Sequence, residues 1–293
     1  MYKTIHTVVF QAREGGGNPC PVTLEADGLT TEQMQTMTRD FGVESAFLMR
    51  PTRSDCHVRA RYFVPLHEME MCIHATVACA TVLAEEMLVT DSPIVIETVL
   101  GSVQVSWERR EDGIDVGVEQ FLPKFQPRNP TREEICRVLR IPETALAEGP
   151  IQSAATSRFK LIVPLASRGI LNALEPDFEA LWELCDQYET TGFYPFAREE
   201  QAEGTVFFAR QFPKRAGYNE DPATGVAASA LSAYLAQHQI VPIQTGWNSF
   251  TIFQGEAMGR PSVIGADVFV EAGRITRTRV RGRAQRTALP ERV

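Results

Sequence analysis

Glu44 is an ionisable side chain whose setting could let it move a proton. Residues 43–49 have the apolar and β-forming composition of a strand that follows a helix. Alternation along this strand puts Glu44 on the same face as Ala46 and Leu48, against an apolar interior. Burial disfavours a charged carboxylate, so the pKa of Glu44 would rise and the group could hold or accept a proton near neutral pH. The alternative is a solvent-facing glutamate at a strand end.

His74 and Asp221 are ionisable side chains that each stand at the start of a helix without charged residues. His74 belongs to residues 72–84, and Asp221 comes just before residues 225–236, which are small or apolar throughout. A helix that is apolar on every face is surrounded by protein. Unpaired amides at its N-terminus favour an anion such as a substrate carboxylate, by about 0.3–1 kcal/mol when exposed and up to ~2 when partly buried. These helices predict a binding site for acids.

His74 and Asp221 also have ordinary structural explanations. An aspartate followed by proline is a common helix N-cap, which would place Pro222 at the first helical position. A histidine at the start of a helix is more often a partly buried side chain with satisfied hydrogen bonds than a catalyst. His67 and His74 lack the spacing of a zinc pair, since the chain has neither HExxH nor a suitably spaced cysteine, and we expect no metal site.

Composition argues against several classes of function. The chain has 293 residues, 44% of them hydrophobic, which is enough for two hydrophobic cores. The net charge of −8 argues against a nucleic-acid partner, because such binding depends on clustered basic residues. Four arginines near the end alternate with small or apolar residues and indicate the solvated outer face of a strand; they are Arg277, Arg279, Arg281 and Arg283. No segment approaches the ~18 apolar residues of a membrane span.

Cysteine usage and the N-terminal segment indicate the compartment. Six cysteines occur without CxxC spacing, at positions 20, 56, 72, 79, 136 and 185. Residues 1–11 have no long apolar run, so they fit a strand better than a signal segment. We therefore expect reduced thiols in a cytoplasmic protein.

The glycine-rich residues 14–22 give little support to nucleotide binding. They match neither GxxxxGK[ST] nor a GxGxxG that leads into a helix. Pro19 and Pro21 keep this segment extended, so we interpret it as an extended turn.

The elements that must position these residues suggest two similar domains. The two charge-free helices lie about 150 residues apart, as in an internal repeat whose sequence has drifted. Residues 122–130 contain three prolines and fit the crossing between the domains. A helix is predicted from the cap Thr30 to Gly42. Other helices are predicted from residue 131 and over 177–189, and strands over 4–10, 58–62, 94–97, 103–106, 114–118, 161–164, 192–197 and 206–210.

The order of strands and helices has no βαβ rhythm, so the predicted fold class is α+β rather than a doubly wound sheet. Six segments, taken together, resemble the phenazine-biosynthesis PhzF-like isomerase family in their order and rough spacing over nearly the whole chain. The segments are Gly17-Asn-Pro19, Glu44, Arg61-Tyr-Phe-Val-Pro65, Glu68-Met-Glu-Met-Cys-Ile-His-Ala-Thr76, Glu220-Asp-Pro-Ala-Thr-Gly225 and Gln254-Gly-Glu-Ala-Met-Gly-Arg-Pro-Ser262.

The resemblance implies a fold shared with diaminopimelate epimerase and proline racemase. In that fold, each of two similar domains has a mixed β-sheet curled round a central helix, and the active site lies in the interdomain cleft. The N-terminal domain would comprise residues 1–122 with a returning C-terminal segment 277–293, and the C-terminal domain residues 123–276. Members of the family are commonly homodimers, use no cofactor, and move a proton between carbons of a small unsaturated amino acid.

The resemblance also implies roles for the candidate side chains. Glu44 would be the general acid/base of a proton shift on a small unsaturated amino or keto acid. His74 and Asp221 would hold polar groups of the substrate or relay protons. A carboxyl group with a raised pKa is sufficient for such a shift, and general acid/base catalysis contributes about 10²–10⁴-fold in rate.

The resemblance implies a substrate site with some unusual residues. The backbone amides of Ile73 and Gly225 would bind the substrate carboxylate, Val226 would stand beside it, and Asn18 would lie near the pocket. Ile73 occupies a position where the family usually has glycine, Val226 one where it usually has serine, and Val64 one where threonine is common. We therefore expect a pocket less polar than that of the phenazine enzyme.

Two other functions are compatible with these residues. In a racemase or epimerase of the same fold, two facing cysteines would remove and add the α-proton, but only Cys72 is close to a helix start. The Ile73 and Val226 positions motivate a second alternative, a non-catalytic relative that binds a carboxylate or a partner protein. Substitution of Glu44 would abolish the role of an isomerase and leave that of a binding protein intact.

Overall fold

The computed structural model describes residues 2–198 and 205–287, which form two compact units. The first unit comprises Met1–Gln11, Gly17–Glu119 and Arg281–Val293, and the second comprises Ala12–Gly16 and Gln120–Val280. The predicted domain boundaries stay a prediction. Residues 288–293 of the predicted returning segment lie outside the described residues.

Helices and strands are mixed in both units. The helices are α1 (Thr31–Phe41), α2 (Ile73–Glu85), α3 (Arg132–Leu139), α4 (Arg168–Asn172), α5 (Phe178–Gln187) and α6 (Gly225–Gln237). The strands up to residue 120 are β1 (Thr4–Val9), β2 (Asn18–Thr23), β3 (Ser45–Met49), β4 (Val58–Phe63), β5 (Glu68–Met69), β6 (Ile94–Thr98), β7 (Gly101–Arg110) and β8 (Gly113–Gln120). The later strands are β9 (Lys124–Phe125), β10 (Gln152–Ala155), β11 (Lys160–Pro164), β12 (Gly192–Arg198), β13 (Val206–Ala209), β14 (Phe212–Pro213), β15 (Gly246–Gln254), β16 (Ser262–Glu271), β17 (Arg274–Gly282) and β18 (Ala284–Arg286).

The first unit is a mixed sheet with α2 packed against it. Hydrogen-bonded neighbours follow in the order β18, β1, β2, β3, β4, β6, β7 and β8. Only the pairs β2–β3 and β4–β6 are parallel. Helix α2 contacts β1, β2, β3 and β18 in this sheet, so it is the central helix of the unit.

The second unit repeats this arrangement. Its neighbours follow in the order β9, β10, β11, β12, β13, β15 and β16, and only β11–β12 and β13–β15 are parallel. Helix α6 contacts β10, β11 and β16. The same succession of antiparallel and parallel pairs in both units confirms the predicted α+β class of two similar mixed sheets, each with a central helix.

The central helices are buried because they have almost no polar surface. Every residue from 73 to 84 in α2 is buried, and so is all of α6 except Val226 and Gln237. The N-cap residues are Cys72 and Thr224, and neither side chain makes a capping hydrogen bond. The first amides of both helices are therefore not closed by their own N-cap side chains.

Helix α1 follows its local sequence signals closely. The Thr30 side chain accepts a hydrogen bond from the Gln33 amide, and the Gln33 side chain accepts one from the Thr30 amide, completing a capping box. The helix ends at Gly42, whose φ of 70° lies in the left-handed region. The predicted bounds are confirmed, and the turn at Gly42 leads directly to Glu44.

The predicted position of Glu44 within a strand is wrong. Strand β3 begins at Ser45, and Glu44 lies in the short connection that follows Gly42. Residues 45–48 are all buried, so the strand has no alternation that could assign Glu44 to a face. The reason is that both α1 and α2 pack against β3.

Strand β2 occupies a segment that we interpreted as an extended turn. Pro19 and Pro21 lie within it, opposite Val8 and His6 of β1. The Leu24 amide donates to the Lys3 carbonyl, so even-numbered amides of β2 point toward β1. The amides of odd-numbered residues, including the two proline positions, would point toward β3. Strand β3 pairs with β2 only from residue 22 onward. Proline is tolerated here because no partner needs its missing amide hydrogen.

The second half of the chain agrees with most of the sequence signals. Helix α3 has a capping box at Thr131, and Asp177 caps α5. In β17, Thr278 and Val280 are buried and Arg277 is exposed, as the alternation predicted. Arg279 departs from the predicted solvated face, because it is half-buried and pairs with the buried Asp267. No helix in residues 2–198 or 205–287 is long and apolar enough to cross a membrane.

Candidate active site

Three side chains of the first unit form a hydrogen-bonded group at the start of α2, which we call the Glu44 cluster: Glu44, Cys72 and His74. The Oε2 atom of Glu44 lies 3.3 Å from Nε2 of His74 and 3.3 Å from Sγ of Cys72. The same sulfur lies 3.2 Å from Nδ1 of His74. The side chains of His74 and Glu44 are only 4% and 13% exposed. The structure thus brings together two of the three predicted catalytic residues.

The start of α2 is fixed by hydrogen bonds to the carbonyl of Cys72. The hydroxyl of Thr76 donates to this oxygen at 2.8 Å, and the Thr76 amide donates at 2.9 Å. The buried phenol of Tyr62 lies 2.8 Å from the Thr76 hydroxyl. These contacts link α2 to β4 and hold Cys72, Ile73 and His74 in place. Ile73 is the first helical residue and is 2% exposed.

Cys72 is a protonated thiol rather than a thiolate. Burial raises the pKa of the Cys72 thiol well above its usual range, and the neighbouring charge of Glu44 raises it further. The thiol donates its hydrogen to Oε2 of Glu44. Thiol nucleophiles and bases react as thiolates, so this environment opposes a thiol-based racemase.

Asn18 belongs to the same unit and begins β2. It is 7% exposed and lies opposite Val9 of β1. The preceding Gly17 has a φ of 83°, and a Cβ atom there would lie 2.7 Å from Cγ2 of Val8 and 2.8 Å from the carbonyl oxygen of Val9. Only glycine fits this turn, so the Gly17-Asn18 pair has a backbone reason for its sequence.

In the second unit, Asp221 begins a compact turn that leads into α6; we call residues 221–224 the Asp221 turn. The hydroxyl of Thr224 donates to Oδ2 of Asp221. Helix α6 begins at Gly225 with Thr224 as N-cap. The alternative in which Asp221 caps a helix with Pro222 at its first position is therefore wrong. Gly225 and Val226 are the first two helical residues, and Val226 is half-buried.

Gln254 is the residue that organises the Asp221 turn, and its residue type alone does not predict this role. Its Nε2 atom donates to the Asp221 carbonyl at 2.6 Å and to the Thr224 hydroxyl at 3.1 Å. Its Oε1 atom accepts from the Tyr194 hydroxyl at 2.9 Å and from the Thr224 amide at 3.2 Å. The Gln254 side chain is fully buried, and all these partners belong to one unit. Its inclusion in the 254–262 motif was the available signal.

The residues after Gln254 support the turn through backbone contact. Gly255 has a φ of 79°, and a Cβ atom there would lie 2.3 Å from the carbonyl oxygen of Arg260 and 2.8 Å from that of Pro222. The Arg260 amide donates to the Gly255 carbonyl at 2.9 Å and closes the loop. Burial lowers the pKa of Arg260, while the charge of Asp221 raises it and partly compensates.

A buried ion pair holds the other side of the Asp221 turn. Arg210 makes two hydrogen bonds with the Glu220 carboxylate, of 2.9 and 2.7 Å, and both side chains are about nine-tenths buried. The Nη1 atom of Arg210 also donates to the carbonyls of Leu171 and Leu174. With its donors used in this way, Arg210 fixes the residue that immediately precedes Asp221.

The Glu44 cluster also has the side-chain types of a metal site. One ligand atom each from Glu44, Cys72 and His74 lie within 4.8 Å of one another. These are ligand types that zinc accepts. The same atoms already make hydrogen bonds within the cluster, which gives their proximity another explanation. The expectation of no metal stays a prediction.

Comparison with known sequences gives concordant matches over almost the whole chain. A family model described as "Phenazine biosynthesis-like protein" (PhzC-PhzF) matches residues 8–288. The uncharacterized isomerase YddE of Escherichia coli (strain K12) is 32% identical over 283 residues, which cover 95% of this chain and 94% of YddE. The trans-2,3-dihydro-3-hydroxyanthranilate isomerase of Pseudomonas aeruginosa is 32% identical over 267 residues, covering 89% of this chain and 88% of the relative.

Comparison with solved structures gives the same result. The Bacillus anthracis phenazine biosynthesis protein of the PhzF family superimposes with a TM-score of 0.87, at 26% sequence identity. The match covers 98% of both chains. The α+β architecture of the two units is therefore one that relatives share.

Proposed function

The chain belongs to the phenazine biosynthesis-like PhzC-PhzF family and is an isomerase, and we propose that Glu44 carries the proton in its reaction. One observation supports this role above the others. The Glu44 carboxyl group is 13% exposed and has two hydrogen-bonding neighbours on Oε2, Cys72 and His74. A carboxyl group in such an environment can take a proton from carbon and return it to another carbon without a bound metal.

The proposed reaction is a proton shift on a small unsaturated amino or keto acid. Glu44 as carboxylate removes a proton from one carbon, the electron pair moves along the allylic system, and the protonated carboxyl delivers a proton to the far carbon. Atoms and charge balance without an oxidant or reductant. His74 stabilises the carboxylate before the first step and again after the second, and the neutral Cys72 thiol does so as a hydrogen-bond donor.

We assign substrate binding to the residues at the two helix starts. The amides of Ile73 and Gly225 are proposed to bind the substrate carboxylate, since neither helix is closed by its N-cap side chain. Asp221 is proposed to hold a polar group of the substrate or relay a proton. Asn18 and Val226 are proposed to contact the substrate.

The substrate class follows from these residues and from the relatives. The Pseudomonas aeruginosa relative acts, by its name, on trans-2,3-dihydro-3-hydroxyanthranilate, an unsaturated amino acid. Ile73 and Val226 are apolar, so we propose a substrate with less polar surface near the carboxylate. The family resemblance also motivates a homodimer in the cytoplasm without a cofactor, which light scattering and metal analysis of the purified protein would test.

Deuterium incorporation tests the role of Glu44. Purified protein is incubated in deuterated water with a panel of β,γ-unsaturated amino acids, and label at carbon is followed by NMR. We expect wild type to incorporate label, and Glu44→Gln to lose about 10²–10⁴-fold in rate because the amide cannot exchange the proton. Prior dialysis against EDTA should leave the rate of the wild type unchanged.

Glu108→Gln is the matched control, because Glu108 lies at the surface with a side chain that is 62% exposed. It should retain the wild-type rate. Label incorporated equally fast by Glu44→Gln would overturn the proposed proton carrier, provided circular dichroism shows that the variant is folded.

A further inference from the structure

Gln211 is a buried amide without a hydrogen-bond partner among the described residues. The residue is 1% exposed, and both Oε1 and Nε2 are unpaired. A primary amide can accept at its oxygen and donate at its nitrogen. Polar groups buried in this way are rare in proteins, and each one calls for an explanation.

The position of Gln211 in the sheet directs it toward the start of α6. Its carbonyl accepts a hydrogen bond of 3.1 Å from the Asp221 amide, and the two residues form an isolated antiparallel bridge. The pairs Phe193–Phe212 and Phe196–Ala209 set a register in which Gln211 stands opposite Tyr194. Side chains of directly opposed residues lie on the same face of a sheet.

Tyr194, Gln211 and Asp221 therefore form a row on one face. That face is turned toward the start of α6, because Tyr194 donates to Gln254, and Gln254 contacts Thr224, the N-cap of the helix. Two members of this row have hydrogen-bond partners outside it: Tyr194 donates to Gln254, and Asp221 accepts from Thr224. The Gln211 side chain therefore lies on the same face of the sheet as two groups of the Asp221 turn network.

Gly192 provides the space that the Gln211 amide occupies. A Cβ atom on Gly192 would lie 2.6 Å from Nε2 of Gln211 and 2.5 Å from the carbonyl oxygen of Phe212. Gly192 has a φ of 148°, at the edge of the region that favours glycine. The absence of a side chain on Gly192 leaves room for the Gln211 amide. A hydrophobic residue of similar size would fit the same space without leaving a polar group unpaired.

We propose that Gln211 binds the substrate, pairing with a neutral group that both donates and accepts a hydrogen bond, such as a hydroxyl or a carboxamide. This inference rests on the proposed function and narrows its substrate class. The carboxylate would bind at the helix amides, while Gln211 selects substrates that carry this second group. An unpaired amide rejects an analogue that cannot complete its hydrogen bonds.

Substrate discrimination is the first test. Rates of deuterium incorporation are compared for matched pairs of β,γ-unsaturated amino acids that differ only by one hydroxyl or carboxamide group. We expect wild type to prefer the substituted member of at least one pair by about tenfold or more in kcat/KM. Gln211→Leu should lose this preference.

Stability in the absence of substrate is the second test. Because leucine removes a buried amide that has no protein partner, Gln211→Leu should raise the melting temperature by about 2–4 °C. Thr81→Val is the matched control, since Thr81 is also buried with an unpaired hydroxyl but belongs to α2 of the other unit. It should keep the substrate preference of the wild type.

Two results would overturn the inference. One is a preference in Gln211→Leu equal to that of the wild type; the other is a lowered melting temperature, which would show that the amide is satisfied by bound water in the resting protein. The proposed function is judged separately, by whether wild type incorporates label from any member of the panel and whether Glu44→Gln abolishes it.

Discussion

At the scale of single residues, the Glu44 cluster supplies the contacts on which the proposed proton transfer depends. The contacts of Cys72 and His74 converge on the same oxygen, Oε2 of Glu44. Cys72 stays neutral, so it stabilises a carboxylate by hydrogen bonding without adding a second negative charge. His74 gives the same oxygen a second polar neighbour at 3.3 Å.

Val226 offers a residue-scale test of substrate polarity. Val226→Thr adds a hydroxyl at nearly constant volume, at the second position of α6. We expect the variant to gain up to about tenfold in kcat/KM for substrates hydroxylated near the carboxylate, because one neutral hydrogen bond contributes about 0.5–1.5 kcal/mol. Steady-state assays with the hydroxylated and unsubstituted compounds measure the change.

Val226→Ala is the control for this test, since it changes the volume without adding a hydroxyl. It should not favour the hydroxylated compound. If Val226→Thr and Val226→Ala change the ratio of the two rates equally, the side chain acts through space alone and the proposed contact with substrate is wrong.

At the scale of elements, the Asp221 turn depends on a strand that is distant in sequence. Gln254 ends β15, and its amide joins the Asp221 carbonyl, the Thr224 amide and the Tyr194 hydroxyl. Gln254→Leu would leave these groups buried and unpaired, so we expect a loss of about 2–4 kcal/mol in the free energy of unfolding. Tyr194→Phe removes one bond from the network and should cost about 1 kcal/mol.

Urea denaturation measures these losses, and kinetics separates positioning from general instability. The hydrogen-bond partners of the Gln254 side chain belong to the second unit and the Glu44 cluster belongs to the first. We therefore expect Gln254→Leu to lower kcat/KM without moving the pH dependence of the reaction. A shifted pH profile would show that Gln254 acts on the proton-carrying group and not only on the turn. An unfolding free energy equal to that of wild type would contradict the network itself.

The same elements explain what could be predicted from the sequence. Helices α1, α2 and α6 were found because their signals are local: the Thr30 capping box and two runs without charge. Strand β2 was missed because its prolines are tolerated only in view of where β3 starts to pair. The placement of Glu44 in a strand failed because packing on both faces of β3 removes alternation.

The candidate site shows the same division. Glu44 and His74 could be identified from residue type and motif, and the structure brings them together. Gln254 and Gln211 could not, because glutamine has no distinctive pattern and their roles arise from cross-strand contacts with Asp221, 33 residues away along the chain in the case of Gln254. Contacts of this kind depend on register, which the local sequence does not specify.

At the scale of the whole molecule, both units contain buried thiols that make stability depend on pH. Burial raises the pKa of the Cys185 thiol to about 12, and it also raises the pKa values of Cys20, Cys72 and Cys79. An unfolded thiol titrates near pH ~8.5. Below that pH the folded and unfolded states both hold the thiol protons, so the thiols do not change the free energy of unfolding. Above it the unfolded state releases protons that the folded state keeps, so unfolding becomes more favourable as pH rises.

We therefore predict that the free energy of unfolding falls between pH 7.5 and 9.5, with a contribution of about 1 kcal/mol from Cys185 alone. Urea denaturation under reducing conditions at the two pH values measures the fall. Cys185→Ala should show a fall smaller by that amount, whereas Val163→Ala, in the same hydrophobic core, should lower stability equally at both pH values. An identical fall in wild type and Cys185→Ala would mean that the folded state releases the Cys185 proton as readily as the unfolded chain, and that burial in this core does not protect the thiol.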